Sequence, residues 1–405
     1  MGRRKRMPEP VKKKFSMRNI VFIGMISFFT DLSTEMVYPI IPLYLTAAFG
    51  VTPALIGVIE GIAESLASLL KVFSGYVSDK FQKKKALAFI GYSTGVLYKV
   101  ALLFAASWVG ILGAKVLDRF GKGVRTAPRD ALVSESADKK VMGKAFGLHK
   151  ALDKAGAALG ILITFFLMRS IGGFEYKTLF AISIIPAVLG LLMFVFIKEK
   201  KAAPPDKERI AFWKNIKGLD GQLKLYLLVV ALFTLGNSSN AFLLLKAKAV
   251  GFNDVTVILL YFIYNITASI FSMPSGRLSD KIGRKSLLVG GYAVFAVVYT
   301  GFGFAFNGPF MVGMFVLYGL HTAMITGVER AFIADIAPPE LKGTMLGLHA
   351  TVAGVALLPA SLITGFLWNS FGSVIPFLVG AGLSATAAVI LLVFMRTDRE
   401  QSKVA

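Results

Sequence analysis

The 405-residue chain contains no cysteine, so disulfides, thiolate catalysis and cysteine-based metal sites are all excluded. Histidine is scarce, with three residues, which argues against a histidine-rich transition-metal centre. Acidic residues are outnumbered, 23 against 45 Lys and Arg, for a formal net charge of +22. Enzyme motifs are missing too. There is no H-E-x-x-H and no Walker sequence, so the expectation is no enzyme, no ATP-driven pump and no cofactor.

Apolar residues make up 55% of the chain, and the mean hydropathy is +0.68. That is the composition of an integral membrane protein. Apolar stretches near 19–45, 54–78, 86–106, 108–131, 145–168, 177–197, 222–246, 254–277, 286–306, 309–334, 343–369 and 374–396 are each long enough for a membrane helix. None has the period-2 alternation of a barrel strand. The fold class read from this is all-α integral membrane, with twelve spans.

The positive charge follows topology. It concentrates in "GRRKR" at the N-terminus, "KFQKKK" after span 2, "KEKK" after span 6, "KIGRK" after span 8, and Arg396 and Arg399 after span 12. The loops near 46–53, 107, 307–309 and 370–373 carry no Lys or Arg. By the positive-inside rule both termini face the cytoplasm, which implies a multi-pass protein of the inner (cell) membrane. "MGRRKRMPEP" leads into a span too long for a signal peptide and without a cleavage site. The expected partners are the bilayer, a small-molecule or ion substrate and protons, without nucleic acid; the chain is expected to act as a monomer.

The only long polar connection, near 198–221, contains "KEKKAAPPDKER" and divides the spans six and six. The expected organisation is a basic N-terminus (1–18), a six-helix bundle (19–197), a cytoplasmic linker (198–221), a second bundle (222–397) and a tail (398–405). Sliding the sequence by about 200 residues aligns "GYVSDKFQKKKAL" with "GRLSDKIGRKSLL", "GKAFGLHKA" with "GTMLGLHAT", and "FFTDLSTE" with "LFTLGNSSN". An internal repeat in a polytopic membrane protein points to a transporter with its site where the repeats meet.

These features resemble the major facilitator superfamily. The charged turn "G-x-L-S-D-K-x-G-R-K" between spans 8 and 9 matches a family motif; its copy between spans 2 and 3 departs from it, with Gln82 and Lys83 in place of Gly and Arg. Span 4 carries Arg119-Phe120-Gly121-Lys122-Gly123, similar to the family's R-x-x-Q-G element with Lys for Gln. Span 5 carries Gly156-x-x-x-Gly160, like the glycine-rich element of the family's antiporters, with Ile161 where those have Pro. The resemblance implies two pseudo-symmetric six-helix bundles working by alternating access. It also implies that Gly75, Asp79, Lys80, Gly276, Asp280 and Arg284 form a conformational latch, and Arg129, Asp130 and Glu135 are expected to pair with it. His149 and His349, repeat-equivalent in "GLH", are read as structural or gating residues.

Charges deep in the spans are expensive in lipid and mark function or mutual pairing. Lys115, Arg119, Lys122 and Arg129 share one face of span 4, Asp31, Glu35 and Tyr38 one face of span 1, Glu60, Glu64 and Lys71 one face of span 2, and Lys150, Asp153 and Lys154 one face of span 5. Spans 1, 2 and 4 border the cavity in the family, so the acids of spans 1 and 2 are expected to meet the basic stripe of span 4. The second repeat places neutral residues opposite these charges, such as Tyr261 for Glu60 and Asn265 for Glu64. The scaffold therefore does not need the charges as such. Asp31, Glu35, Glu60, Glu64 and Arg119 are the expected proton-coupling residues. Lys115, Lys122, Tyr38, Asn237, Asn240, Tyr261, Asn265 and His321 are the expected substrate residues, although a helix–helix hydrogen bond also accounts for His321. Proton-coupled efflux by antiport is the leading expectation. Proton-coupled uptake of a small organic anion by symport, and transport of a divalent metal ion through Asp31, Glu35, Glu60 and Glu64, are the alternatives.

Overall fold

Helix is the only way this much apolar chain can satisfy its backbone in lipid without closing a barrel, and in the computed structural model the described residues are helical almost throughout. The structure describes residues 17–81, 83–137, 142–170, 175–199, 219–305, 307–338 and 342–395, with only the backbone described at 71–81, 143, 334 and 342–344. The expected linker and both tails lie mostly outside the described residues.

The first half comprises α1 (Met17–Val37), α2 (Ile41–Phe49), α3 (Pro53–Phe81), α4 (Lys84–Phe104), α5 (Trp108–Ser136), α6 (Met142–Ser170) and α7 (Tyr176–Leu192). The second comprises α8 (Gly221–Gly236), α9 (Ala241–Ala249), α10 (Asp254–Ile282), α11 (Arg284–Gly303), α12 (Gly308–Thr326), α13 (Val328–Ile336), α14 (Lys342–Phe371) and α15 (Val374–Phe394). Three pairs are broken spans. A 3-10 turn at Tyr38–Ile40, with Pro39 inside it and Pro42 just after it, joins α1 to α2. Asn237–Asn240 join α8 to α9, and Gly327 joins α12 to α13.

Eleven spans among the described residues are long and apolar enough to cross a membrane. The twelfth, α5, falls short because Lys115, Asp118, Arg119, Lys122 and Arg125 crowd its first 18 residues. Its 29 residues nevertheless extend about 44 Å at 1.5 Å per residue, and it lies between spans that cross. The protein is a multi-pass membrane protein.

Within the first half, α1 packs on α6, and α5 on α3 and α4; within the second, α11 packs on α15, and α12 on α10. The halves meet where α3 runs along α14 and α6 along α10. Missing side chains allow these approaches. A Cβ on Gly156 would stand 2.1 Å from the Phe28 carbonyl oxygen, and one on Gly160 would stand 2.3 Å from that of Leu32. Across the halves, a Cβ on Gly57 would meet the Ser361 carbonyl oxygen at 2.3 Å. Small residues at close crossings are how membrane helices gain packing energy when lipid supplies no hydrophobic drive.

At the end of the bundle bearing α2 and α9 the halves close on each other: α2 packs on α9, and Ile40, Leu43 and Leu45 of the first half and Phe242 and Leu244 of the second are fully buried. At the other end the first half has its own cluster, around Ile20, Tyr92 and Phe194. Between the halves lies a cavity of about 830 Å³ that reaches from Tyr38 to Glu329, Arg330 and Leu346 near the basic end.

Candidate transport site between the two halves

The charges of α3 and α5 answer one another. Glu60 and Lys115 form an ion pair in which both side chains are fully buried. One turn along, Arg119 Nη2 lies 2.8 Å from Glu64 Oε1, and Arg119 Nη1 lies 3.5 Å from its own neighbour Asp118. The 4-residue spacing on both helices sets the two pairs in parallel. The expectation that span 2 acids meet the span 4 bases holds, and Lys115 and Arg119 thereby have their charges occupied. The Tyr38 ring takes both cations over its face, with Lys115 Nζ at 5.9 Å and Arg119 Cζ at 5.8 Å from the centroid.

The span 1 acids do something else, which corrects the expected pairing with Arg119. The Asp31 carboxyl lies against the carboxyl of Asp153 on α6 in hydrogen-bonding contact. Asp153 also pairs with Lys150. The cause is the Gly156 and Gly160 contact, which draws α6 onto α1 and away from α5. Glu35 instead accepts a hydrogen bond from the Tyr261 hydroxyl of the other half at 3.2 Å. It sits in the field of Lys122 and Lys154, yet no ion pair to it within 4 Å is present among the described residues. Lys122 and Lys154 are exposed although they lie mid-span, and neither side chain has a hydrogen bond or ion pair among the described residues. The four carboxylates Asp31, Glu35, Glu60 and Glu64 thus have four different partners and are not gathered around a common point. No cluster of three or more metal-ligating acids or histidines exists among the described residues.

The break between α8 and α9 carries the polar edge of the second half. Asn237, Ser238, Ser239 and Asn240 line the cavity. Ser239 Oγ donates to Glu60 Oε2 at 3.1 Å and accepts from the Ala241 N–H at 3.3 Å, so it ties the broken span to the buried ion pair of the first half. Irregular backbone at membrane depth is tolerated where it lines a cavity. The Tyr318 hydroxyl donates to Asn240 Oδ1 at 2.8 Å and approaches Asn237 Oδ1 at 3.5 Å. Asn265 is not part of this edge. Its amide donates to the Tyr261 carbonyl at 3.0 Å on its own helix, and it is not among the residues that line the cavity.

An aromatic wall was not visible in the sequence. Ring centroids run from Tyr38 to Tyr261 at 5.9 Å, to Tyr264 at 5.7 Å, to Tyr318 at 5.0 Å and to His321 at 5.8 Å. His321 Nδ1 lies 2.8 Å from the Gly291 carbonyl oxygen, the helix–helix bond expected of it, and its ring also lines the cavity. Sequence reasoning also missed Lys99, which is fully buried on α4 and bonds Thr34 Oγ1 at 3.3 Å. A lysine in the apolar run "GVLYKVALLF" was the available signal.

At the basic end, Arg129 donates twice to Asp130, at 2.9 and 2.8 Å, and Glu135 pairs with Lys84. Arg129 and Asp130 thus bond to each other; their expected pairing with the turn falls on the Asp79 and Lys80 side chains, which lie outside the described residues, as does any feature of Gly75 beyond its backbone. In the second copy, Arg284 donates to the Ala331 carbonyl at 2.7 Å and pairs with Asp335, while Asp280 approaches it only to 3.8 Å. His149 bonds Ser27 Oγ at 2.8 Å, and His349 Nε2 stands 3.4 Å from Glu329 Oε2.

A helical bundle of two similar halves around a polar cavity, closed at one end, is the architecture of a secondary transporter. The sequence profile of the Major Facilitator Superfamily matches residues 23–245 and again 225–405. An uncharacterized MFS-type transporter of Methanocaldococcus jannaschii is 38% identical over 381 residues, covering 93% of this chain and 94% of the relative. The chain belongs to the Major Facilitator Superfamily and is a membrane transporter of that type. The multi-drug resistance efflux pump PmrA of Streptococcus pneumoniae is 28% identical over 133 residues, a third of each chain. Among solved structures, a mutant of the nucleoside transporter NupG aligns with a TM-score of 0.80 at 13% identity, covering 93% of this chain and 100% of that one. A D-xylose-proton symporter aligns with a TM-score of 0.74 at 16% identity, over 93% and 97%. At such identities the likeness is one of fold.

Proposed function

We propose that this transporter moves a small organic anion together with a proton, a symport. The observation that carries the reading is Glu35 standing in the field of Lys122 and Lys154, whose side chains are otherwise unengaged. An ionised Glu35 offsets part of that positive field. A proton on Glu35 removes the offset, so a bound proton and a bound anion reinforce each other, and linkage makes the reinforcement mutual. A cationic solute would instead compete with the proton, which is the logic of antiport. Asp31 and Asp153 add a second proton position, because a hydrogen bond between two carboxyls requires one proton. With the termini in the cytoplasm, the cavity of this conformation faces inward, and the sealed end faces out.

Antiport export is the second reading. It is favoured by the tight seating of Gly156 and Gly160 on α1, similar to the antiporters' glycine-rich element, and by the partial likeness to an efflux pump. Proteoliposomes with a pH-sensitive dye in the lumen separate the two. Permanently charged sulfonates, aliphatic and aromatic, are added outside, with quaternary ammonium ions and sugars as the other arms. Symport predicts that the sulfonates acidify the lumen. Alkalinisation by the ammonium ions, with the sulfonates inert, would establish antiport and sink the anion reading.

A further inference from the structure

The cavity has two unlike sides. Tyr38, Glu64 and Ser68 line it from the first half, and the second half lines it mainly with rings and neutral polar atoms, with Glu329 and Arg330 toward the basic end. We infer that the anion is an aromatic acid: a flat ring system carrying the anionic group at one end and a hydroxyl or equivalent heteroatom at the other. The inference rests on the anion reading above and adds what the second half recognises.

The ring follows from the wall. Tyr38, Tyr264, Tyr318 and His321 all line the cavity, and their successive rings, through Tyr261, lie 5.0 to 5.9 Å apart in a continuous row. Such a row presents faces and edges that offset-stacked or edge-on rings can join. A flexible aliphatic acid gains area there but not the ring contacts, and it loses more conformational freedom on binding.

The distal heteroatom follows from two unsatisfied groups that flank the Tyr318 ring. His321 Nδ1 donates to the Gly291 carbonyl at 2.8 Å, which leaves Nε2 of the neutral ring as an acceptor. Asn237 has its Oδ1 facing the Tyr318 hydroxyl at 3.5 Å, and its amide nitrogen has no partner among the described residues. A hydroxyl satisfies both at once, donating to His321 Nε2 and accepting from Asn237 Nδ2. A site with polar groups awaiting partners discriminates strongly against ligands that leave them unpaired.

The anionic end belongs at Lys122, which does not itself line the cavity but is exposed one turn beyond Arg119, whose partner Glu64 does line it. It lies three and seven residues beyond Arg119 and Lys115 on the same face of α5, and those two cations are already taken by Glu64 and Glu60. Lys154 adds to the field from α6. The volume of about 830 Å³ accommodates a two-ring acid, within the usual range of small-molecule sites.

The test uses the purified full-length protein and isothermal titration with 6-hydroxynaphthalene-2-sulfonate, naphthalene-2-sulfonate and hexane-1-sulfonate, with a naphthyl-methyl trimethylammonium salt as the opposite charge. The expected order of affinity is hydroxynaphthalene, then naphthalene, then hexane, with steps of about tenfold, the worth of roughly one well-made hydrogen bond or ring contact. His321→Phe and Asn237→Leu should abolish the hydroxyl preference, lowering the affinity for 6-hydroxynaphthalene-2-sulfonate by about tenfold more than that for naphthalene-2-sulfonate, the worth of roughly one well-made hydrogen bond. Lys122→Gln should weaken all three anions alike. Hexane-1-sulfonate binding as tightly as the naphthalenes overturns the ring while sparing the anion reading. A hydroxyl preference that survives both variants overturns the distal contact. Tighter binding of the ammonium salt, or no sulfonate binding by protein with an intact thermal transition, overturns both readings.

Discussion

Ser239, in the break of the seventh span, donates its hydroxyl to Glu60 across the boundary between the halves, at 3.1 Å. The same carboxylate holds Lys115. One buried acid therefore serves the interior of its own half and the alignment of the other.

The neighbouring pair gives the first prediction. Arg119 binds Glu64 at 2.8 Å, so Arg119→Ala leaves a carboxylate facing the cavity without its partner. The expected cost is about 3–5 kcal/mol, the scale for breaking a buried pair from one side. Adding Glu64→Ala should recover much of that loss, whereas adding Asp31→Ala or Glu35→Ala should not. Thermal unfolding of the single and double variants measures the coupling. Additivity in the Arg119/Glu64 cycle would remove this pair from the account.

Glycine packing gives the second. Gly156→Ala places a methyl 2.1 Å from the Phe28 carbonyl oxygen, and the overpacking should cost about 1–3 kcal/mol. Gly147→Ala, on the same helix with nothing within 4 Å, should be neutral or stabilise by up to about 1 kcal/mol. Equal melting temperatures for the two variants would mean that α1 and α6 are not held at this distance.

The carboxyl pair gives the third. Asp153→Asn should lower sulfonate-driven lumen acidification as much as Asp31→Asn does, by about tenfold or more, the effect of one lost unit of proton affinity. Both proteins should still reach the membrane at normal levels. Wild-type acidification in Asp153→Asn, with loss in Asp31→Asn, would assign the proton to Asp31 alone.

Arg284 gives the fourth. It bonds the Ala331 carbonyl and Asp335 of the neighbouring helix, while Asp280 is mostly exposed and 3.8 Å away. Arg284→Ala should shift the conformational balance by about fivefold, the low end of typical coupling energies, and Asp280→Asn should shift it less. Single cysteines placed at the sealed end of this cysteine-free chain report the shift by labelling rate. A larger effect in Asp280→Asn would return the latch to the carboxylate.

Much of the architecture was legible because it rests on local properties. Span length, the repeat and the loop charges depend on residue type alone, and helical spacing correctly set Glu60 and Glu64 against Lys115 and Arg119. Partner choice for Asp31 was not legible. It depends on how closely α6 approaches α1, which two glycines decide, and a one-dimensional pattern does not show which helix those glycines face. The breaks at Asn237–Asn240 and Gly327 were read through as continuous helix because their flanks are apolar. The tyrosine row draws on three separate spans, so its members are neighbours only after folding. Asn265 kept a polar side chain in a promising place and then turned it onto its own backbone.

The polarity of α5 has a consequence for how the protein is made. A Lys, Arg or Asp at the centre of a membrane helix opposes insertion by about 2.5–3.5 kcal/mol each, and the first 18 residues of α5 hold five of them. Taken alone, this helix has no reason to leave the aqueous channel of the insertion machinery. Its natural escort is α3, made earlier, which carries Glu60 and Glu64. During synthesis, then, the third span must be in place and the second must wait at the channel wall, so that α5 enters the lipid with its charges already matched.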